Sequence, residues 1–359
     1  MRVAVVGAGV AGLTASLALQ RDGHAVSVYE SAAELRTGGF GLNLWTNAGS
    51  LLDEMGVDIP GEPYSHISFR AGGRHRATMR LPARGYPHVN VERGALLRAI
   101  EARLGHDTIH FATTVTRAAE LLDDGFDLVV AADGVGSRLR PDASVWQKRG
   151  EPWAVWQVMV PTGADLIERG GGAVVLGKHR FYGIWRQPNN ELCWFVEDPA
   201  LSRNASAEQV LANALDDDDP LVREVAALTT VGGLGQWLAR DRRPTREIIG
   251  DRIVAIGDAA HPMLPCIGQG ACTSIEDGVA LARVLRGASV PDALERYRRW
   301  RLPVTRLRVA TAHFACTLRR PSPIATTIAA TPLGVPFAHA SGAWMRMVNR
   351  ADRRLLVKK

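Results

Sequence analysis

The chain reads as an α/β protein in which a Rossmann-like dinucleotide-binding domain carries an inserted β-sheet domain and ends in a C-terminal helical tail. Three separated segments predict this: Val3 to Glu30, Asp127 to Arg140 and Arg252 to Ala282. Each couples a short apolar strand to a glycine-rich or acidic turn. In this order they describe a chain that returns repeatedly to one long ligand at the carboxyl ends of its strands.

The first segment runs from an apolar strand, Val3 to Val6, into Gly7, Gly9 and Gly12 and then an apolar-periodic helix through Leu13, Leu17 and Leu19. Gly7 permits a tight turn, Gly9 lets backbone approach a pyrophosphate, and Gly12 lets helix and strand pack closely. The helix start then offers free N–H groups to phosphate. A second strand, Ala25 to Tyr29, ends in Glu30, whose carboxylate can accept from ribose hydroxyls and would repel a 2′-phosphate. The segment therefore predicts a bound adenine dinucleotide.

NAD and FAD share this fingerprint, and the other two segments decide between them. Asp127 to Ala132 reads as a buried strand broken by Asp133-Gly134, with Ser137, Arg138 and Arg140 on the turn. Ile253 to Ile256 is another, closed by Gly257-Asp258. An acid at that strand end can hold the ribityl hydroxyls of FAD, for which NAD has no counterpart. Pro265 to Gly270 then opens a helix whose positive end would face the flavin edge that becomes anionic on reduction, with Gly268 and Gly270 admitting the close approach of main chain.

Taken together these motifs resemble the single-component (class A) FAD-dependent aromatic hydroxylases of the p-hydroxybenzoate hydroxylase fold, in particular the salicylate- and urate-hydroxylase-like subgroup. The resemblance spans nearly the whole chain and includes GAGVAG with Glu30, Val91 to Leu96, ADGVGSRLR, and GDAAHPMLPCIGQG followed by Glu276-Asp277. It implies that Glu30 holds the adenosine ribose, that Arg93 and Asp258 hold the diphosphate and ribityl portion, and that Pro265, Gly268, Gln269 and Gly270 line the isoalloxazine, with Asp133 in the second motif. Cys266 and Cys272 depart from the family, which usually carries a bulkier apolar residue and Asn there.

Composition narrows the class further. At 359 residues with 46% hydrophobic content, the chain can build a flavin domain and a smaller inserted one. Four cysteines without regular spacing argue against a disulfide framework or a metal site, and all four are expected to be reduced. The net charge of +6 comes mostly from scattered Arg without a nucleic-acid motif, so it is assigned to attracting NAD(P)H or an anionic substrate. Asp216 to Asp219 is expected to be a solvated helix or loop end. The apolar start lacks a signal-peptide cleavage pattern, and a cytoplasmic monomer or homodimer is expected.

The expected division is discontinuous: residues 1–62, 88–150 and 245–318 form the FAD-binding domain, 63–87 and 151–244 a strand-rich substrate domain, and 319–359 a helical tail. Short aromatic or alternating stretches such as 181–185 and 192–196 carry the second assignment. Ile324 to Trp344 has the length of a membrane span, but Pro332, Gly334 and Pro336 interrupt it, so a packed tail is expected instead.

Activity follows from the resemblance: NADPH or NADH reduces the flavin, O2 adds at C4a, and the hydroperoxide transfers one oxygen to an aromatic small molecule. Tyr182 and Trp185 are expected as pocket walls facing the flavin, and Asn43 approaches from below it; the competing reading of these aromatics is a domain core. His261 is assigned a structural role. A flavin-dependent halogenase is excluded because Trp153-Ala154-Val155-Trp156 has the wrong spacing and none of the four lysines fits its motif. Epoxidase or Baeyer–Villiger chemistry, and a non-enzymatic flavin- or substrate-binding protein, stay as alternatives.

Overall fold

β1 (Arg2–Val6) is apolar on both faces, as a parallel strand covered by helices must be, and Val3 to Val6 are all buried. The structure, a computed structural model, describes residues 1–36, 38, 41–81, 86–141, 153–178, 180–197, 205–243 and 247–318. From β1 the chain enters α1 (Val10–Arg21) and returns in β2 (Ala25–Tyr29), parallel to β1 with Val5 beside Val28. Gly7 takes φ 105° in the connecting turn, and a Cβ on Gly12 would overlap the Gly7 carbonyl. Both glycines are therefore demanded by the turn that opens α1.

Next come β3 (Gly41–Leu44), α2 (Thr46–Glu54), β4 (Gly61–Tyr64), β5 (His66–Ala71), β6 (Arg74–Arg80), β7 (His88–Glu92) and α3 (Arg93–Glu101). β8 (Ile109–His110), α4 (Ala118–Asp123) and β9 (Leu128–Ala131) follow. The middle of the chain is strand-rich: β10 (Trp153–Val160), β11 (Gly171–Leu176), β12 (Phe181–Arg186) and β13 (Leu192–Glu197), then α5 (Ala207–Leu215), α6 (Pro220–Ala227) and β14 (Gly235–Ala239). β15 (Ile249–Gly250), β16 (Ile253–Ala255), α7 (Gly270–Leu285) and α8 (Val290–Leu318) complete the described chain.

Three sheets result among the described residues. One has the order β15-β16-β9-β1-β2-β8, parallel except for β15. β1 lies between β2 and β9, so its carboxyl end opens on the crevice where the strand order reverses, the usual ligand position in such sheets. A seven-stranded sheet, β14-β10-β13-β12-β11-β5-β6, is antiparallel except where β11 meets β5, and a small antiparallel sheet has the order β3-β7-β4. No helix among the described residues is long and apolar enough to cross a membrane. The expected tail at 319–359, with the stretch Ile324 to Trp344, lies outside the described residues.

Side-chain alternation gives the seven-stranded sheet two different faces. Tyr182, Ile184, Trp194 and Val196 point into a core closed by α5 and α6, whereas Phe181, Trp185 and Val174 belong to the cluster shared with the parallel sheet. Both helices begin at side-chain caps. Ser206 and Gln209 form a capping box on α5, and Asp219 accepts from Leu221 N at 3.0 Å ahead of Pro220 on α6. This corrects the reading of the acidic run as solvated: Asp217 and Asp219 are buried, and Asp219 also pairs with Arg70 at 3.0 Å. A local cap and a partner 149 residues away are what draw that carboxylate inside.

Candidate functional site

A cavity of 470 Å³ runs from the β1–α1 turn, past the loop before α7, to the seven-stranded sheet. At its first end Gly9 is the N-cap of α1, lines the cavity, carries no side-chain cap bond and has open space where a Cβ would stand. The helix therefore presents free backbone donors to the cleft. Glu30 sits behind this turn: its carboxylate accepts from Ala8 N at 2.9 Å and Ala32 N at 2.8 Å. Burial raises its pKa, but those donors and Ser31 outweigh it and hold the carboxyl below its usual value.

Arg93 starts α3, lines the cavity and donates to the Arg36 and Gly38 carbonyls at 2.6 and 3.0 Å. Desolvation lowers its pKa, opposed by Asp258 across the cleft. Asp258 lies just past β16, exposed along the channel in the structure, where the enclosing walls push its carboxyl up against the pull of His261, Arg93 and Arg242. Asp133 stands one step back: its carboxylate accepts from Arg138 N at 3.0 Å, and the neighbouring Gly134 lines the cavity in its place.

The turn Pro265–Ile267 ends at Gly268 with φ 59°, a conformation only glycine adopts cheaply, and α7 begins two residues later. Pro265, Gly268 and Gly270 line the cavity together with Ala271 and Ser274 of the first helical turns. Gln269 is buried and does not line it; its carbonyl accepts from Thr273 N and Oγ1 at 2.8 and 2.6 Å. The backbone of this turn, more than its side chains, faces the channel.

Behind α7 lies a buried charge network that the sequence did not disclose. Glu276 accepts from Arg308 at 2.5 and 3.0 Å, from Arg301 at 2.9 Å, and from Asn47 Nδ2. Asp277 accepts from Arg301 Nε at 2.8 Å, from Gly257 N at 3.0 Å, and pairs with His261 Nε2. All four ionised side chains are at most 1% exposed. Burial alone would raise both carboxyls; the arginines and His261 hold them below their ordinary range. His261 thus fixes the strand-end turn that carries Asp258. The spacing of Arg301 and Arg308 on one face of α8 was the available signal, but their acidic partners lie on another helix.

At the far end the seven-stranded sheet forms a wall. Its inward residues are Ile67 and Phe69 on β5, Met79 on β6, Val155 and Gln157 on β10, Val174 on β11, Phe181 and Trp185 on β12, Phe195 and Glu197 on β13, and Trp237 on β14. Trp185 therefore lines the cavity, as does Asn43 on β3. Tyr182 does not, and the expectation that it faces the flavin is corrected. It lies on the opposite face, fully buried, with its hydroxyl donating to Asp217 at 3.1 Å. Positions 182 and 185 on one strand have opposite parity and cannot share a wall.

Two further features were missed. Gln157 and Glu197 are polar groups in this otherwise apolar wall, and Gln157 is fixed by donating to Gly41 O and accepting from Trp237 Nε1, each at 3.3 Å. The expectation of four reduced cysteines is also corrected. Cys266 on the turn before α7 and Cys316 on α8 are joined as a disulfide with Cα atoms 5.6 Å apart, while Cys193 and Cys272 are free and buried. A separation of 50 residues without a Cys-x-x-Cys pattern gave no hint of it.

The residues present fit FAD: a glycine turn with an open N-cap, Arg93 and Asp258 facing each other across the channel, and a second helix start entered by a left-handed glycine. Comparison with known proteins agrees. Residues 125–312 match the family described as FAD binding domain, and residues 5–39 match an NAD(P)-binding Rossmann-like domain. The FAD-dependent urate hydroxylase of Klebsiella pneumoniae subsp. pneumoniae is 27% identical over 346 residues, covering 89% of this chain and 90% of that one. The 3-amino-4-hydroxybenzoate 2-monooxygenase of Streptomyces cremeus is 29% identical and covers 85% and 84%. Among solved structures, Klebsiella pneumoniae HpxO complexed with FAD and uric acid superposes with a TM-score of 0.83 at 24% identity, over 99% of this chain and 97% of that one.

Proposed function

This chain belongs to the FAD binding domain family, and from that premise we propose that it is a flavoprotein monooxygenase that uses NAD(P)H and O2 to hydroxylate an aromatic or heteroaromatic small molecule. The observation that carries this reading is the continuity of one channel from the open N-cap of α1 to a wall rich in aromatic rings. A cofactor seated at the first end can reach a ring held at the second. Relatives named as hydroxylases and monooxygenases support the same reading.

When bound, FAD supplies two-electron exchange with a nicotinamide and activation of O2. The chain's own residues would do the rest. Glu30 and Gly9 would shape the adenosine and diphosphate end, Arg93 would offset phosphate charge, and Asp258 would accept from ribityl hydroxyls. Pro265 to Gly270 would seat the ring system, with the helix start compensating negative charge that develops at its edge. Trp185, Phe181 and Phe195 would stack and orient the substrate while excluding water.

Mass spectrometry of products formed under 18O2 from phenols, indoles and quinolones, with NADH and NADPH supplied in turn, tests the proposal. The expected result is one labelled oxygen per product and NAD(P)H consumption stimulated by that substrate. A protein that binds FAD yet incorporates no label with any of these would be a binding protein instead. Insertion of the label into a ring or across a double bond would assign a Baeyer–Villiger oxygenase or an epoxidase.

A further inference from the structure

Resting on the monooxygenase reading, we infer that the pocket selects an uncharged aromatic substrate and rejects aromatic carboxylates. The sheet wall carries no Arg, Lys or His among the described residues that line the cavity. Basic side chains do occur on the same strands, but the pleat turns them away. Arg70 pairs with Asp219 at 3.0 Å on the far face, and Arg186 donates to the carbonyls of Ala164 and Ile167, the latter at 2.9 Å. Moving either by one position would have put a guanidinium in the pocket.

What the wall offers in their place is aromatic surface and acceptors. Glu197 is acidic, 2% exposed, and its Oε2 lies 3.9 Å from Cys266 Sγ on the flavin-side turn. Gln157 already directs its amide nitrogen at Gly41 O and Cys193 Sγ. Arg93, the basic side chain lining the cavity among the described residues, is at the dinucleotide end, engaged with two carbonyls and facing Asp258. A substrate carboxylate brought against the sheet would lose its hydration, meet no basic side chain among the described residues that line it, and lie beside the carboxyl of Glu197. An uncharged ring, with or without an N–H or O–H donor, suffers none of these costs. The net charge of +6 thus serves long-range attraction of the anionic nicotinamide reductant and does not report the substrate.

Matched probes test this on the FAD-loaded protein, read as perturbation of the bound-flavin spectrum without NAD(P)H. 1-Naphthol is compared with 1-hydroxy-2-naphthoate, and indole with indole-2-carboxylate. The uncharged member of each pair is expected to bind at least about tenfold more tightly at neutral pH, which corresponds to about 1.4 kcal/mol. Glu197→Gln should narrow that ratio severalfold, and an unchanged ratio would remove Glu197 from the discrimination. Should Glu197→Gln fail to fold, the wild-type ratio still decides: a carboxylate that binds as tightly as its uncharged partner overturns the inference. Because binding is read without turnover, a clear preference combined with no 18O incorporation would sink the monooxygenase reading alone. Efficient labelling of a carboxylate-bearing ring would sink this inference alone.

Discussion

The two ends of the channel are built from different materials. At the dinucleotide end the surface is mostly backbone: Gly9, Gly134, Gly268 and Gly270 line it, held from behind by buried charges. At the sheet end it is almost all side chain, with rings at 181, 185, 195 and 237. A backbone surface requires particular residue types, because only glycine allows the approach and only a carboxylate or arginine answers the ligand. A side-chain surface requires only bulk at the right parity, and many sequences satisfy that.

If buried charge holds the first end, breaking it should produce the largest effect. Arg301→Ala leaves Glu276 and Asp277 short of a partner in a dry interior, and about 3 to 5 kcal/mol of stability should be lost in denaturant unfolding of the FAD-loaded protein. A loss below about 1 kcal/mol would mean that the two ends are held alike, by packing.

His88 packs against two rings that line the cavity, 5.2 Å from Trp45 and 5.6 Å from Tyr64, and burial pushes its pKa down to about 4. A folded-state value below the unfolded one contributes stability that is present above the unfolded pKa and lost as pH falls. The loss should develop between about pH 6.5 and pH 4 and approach about 3 kcal/mol. Unfolding measured across that window should show the slope, and His88→Gln should flatten it. The depressed carboxyls of Glu276 and Asp277 add a further loss below that range.

Substitutions that touch the cofactor end alone should separate binding from fold. Asp258→Ala should lower flavin occupancy, read as absorbance per protein, with unfolding nearly unchanged. Glu30→Arg should weaken FAD retention by about 1 to 3 kcal/mol, since Ala8 N and Ala32 N lose their acceptor. Equal occupancy in both variants would reassign the dinucleotide end.

The smallest expected effect sharpens the comparison most. Trp185→Leu should raise KM or the peroxide released per NAD(P)H while FAD stays bound, whereas Tyr182→Phe should leave coupling unchanged and cost about 0.5 to 1.5 kcal/mol of stability, since Asp217 loses one donor but keeps Lys178 N and Asp219 N. The reverse outcome would place the wrong face of β12 in the pocket.

Legibility in the sequence follows the same division. Gly9, Arg93, Asp258, Pro265, Gly268 and Gly270 could be named because type and spacing mark them, and all six line the cavity. The face of β12 could not be read from Phe181 to Trp185, apolar on both sides. Its outer face packs under α5 and α6, so alternation of polarity disappears, and Tyr182 looked as good as Trp185. Yet parity alone forbade choosing both. The pairings of Glu276, Asp277 and Cys266 with α8 were illegible for another reason: each joins positions 24 to 50 residues apart whose approach depends on the helix packing.

The long helix α8 also sets a schedule. Nearly every residue that lines the channel has been synthesised once Ser274 is made, but the carboxylates of Glu276 and Asp277 acquire their guanidinium partners only when Arg301 and Arg308 follow. A nascent chain ending inside α7 would have to bury two bare anions to close its cofactor cleft, so it stays open. A purified chain truncated at residue 290 should not retain FAD, whereas one extended through α8 should load it, so that closure of the cofactor cleft waits on the two arginines of α8.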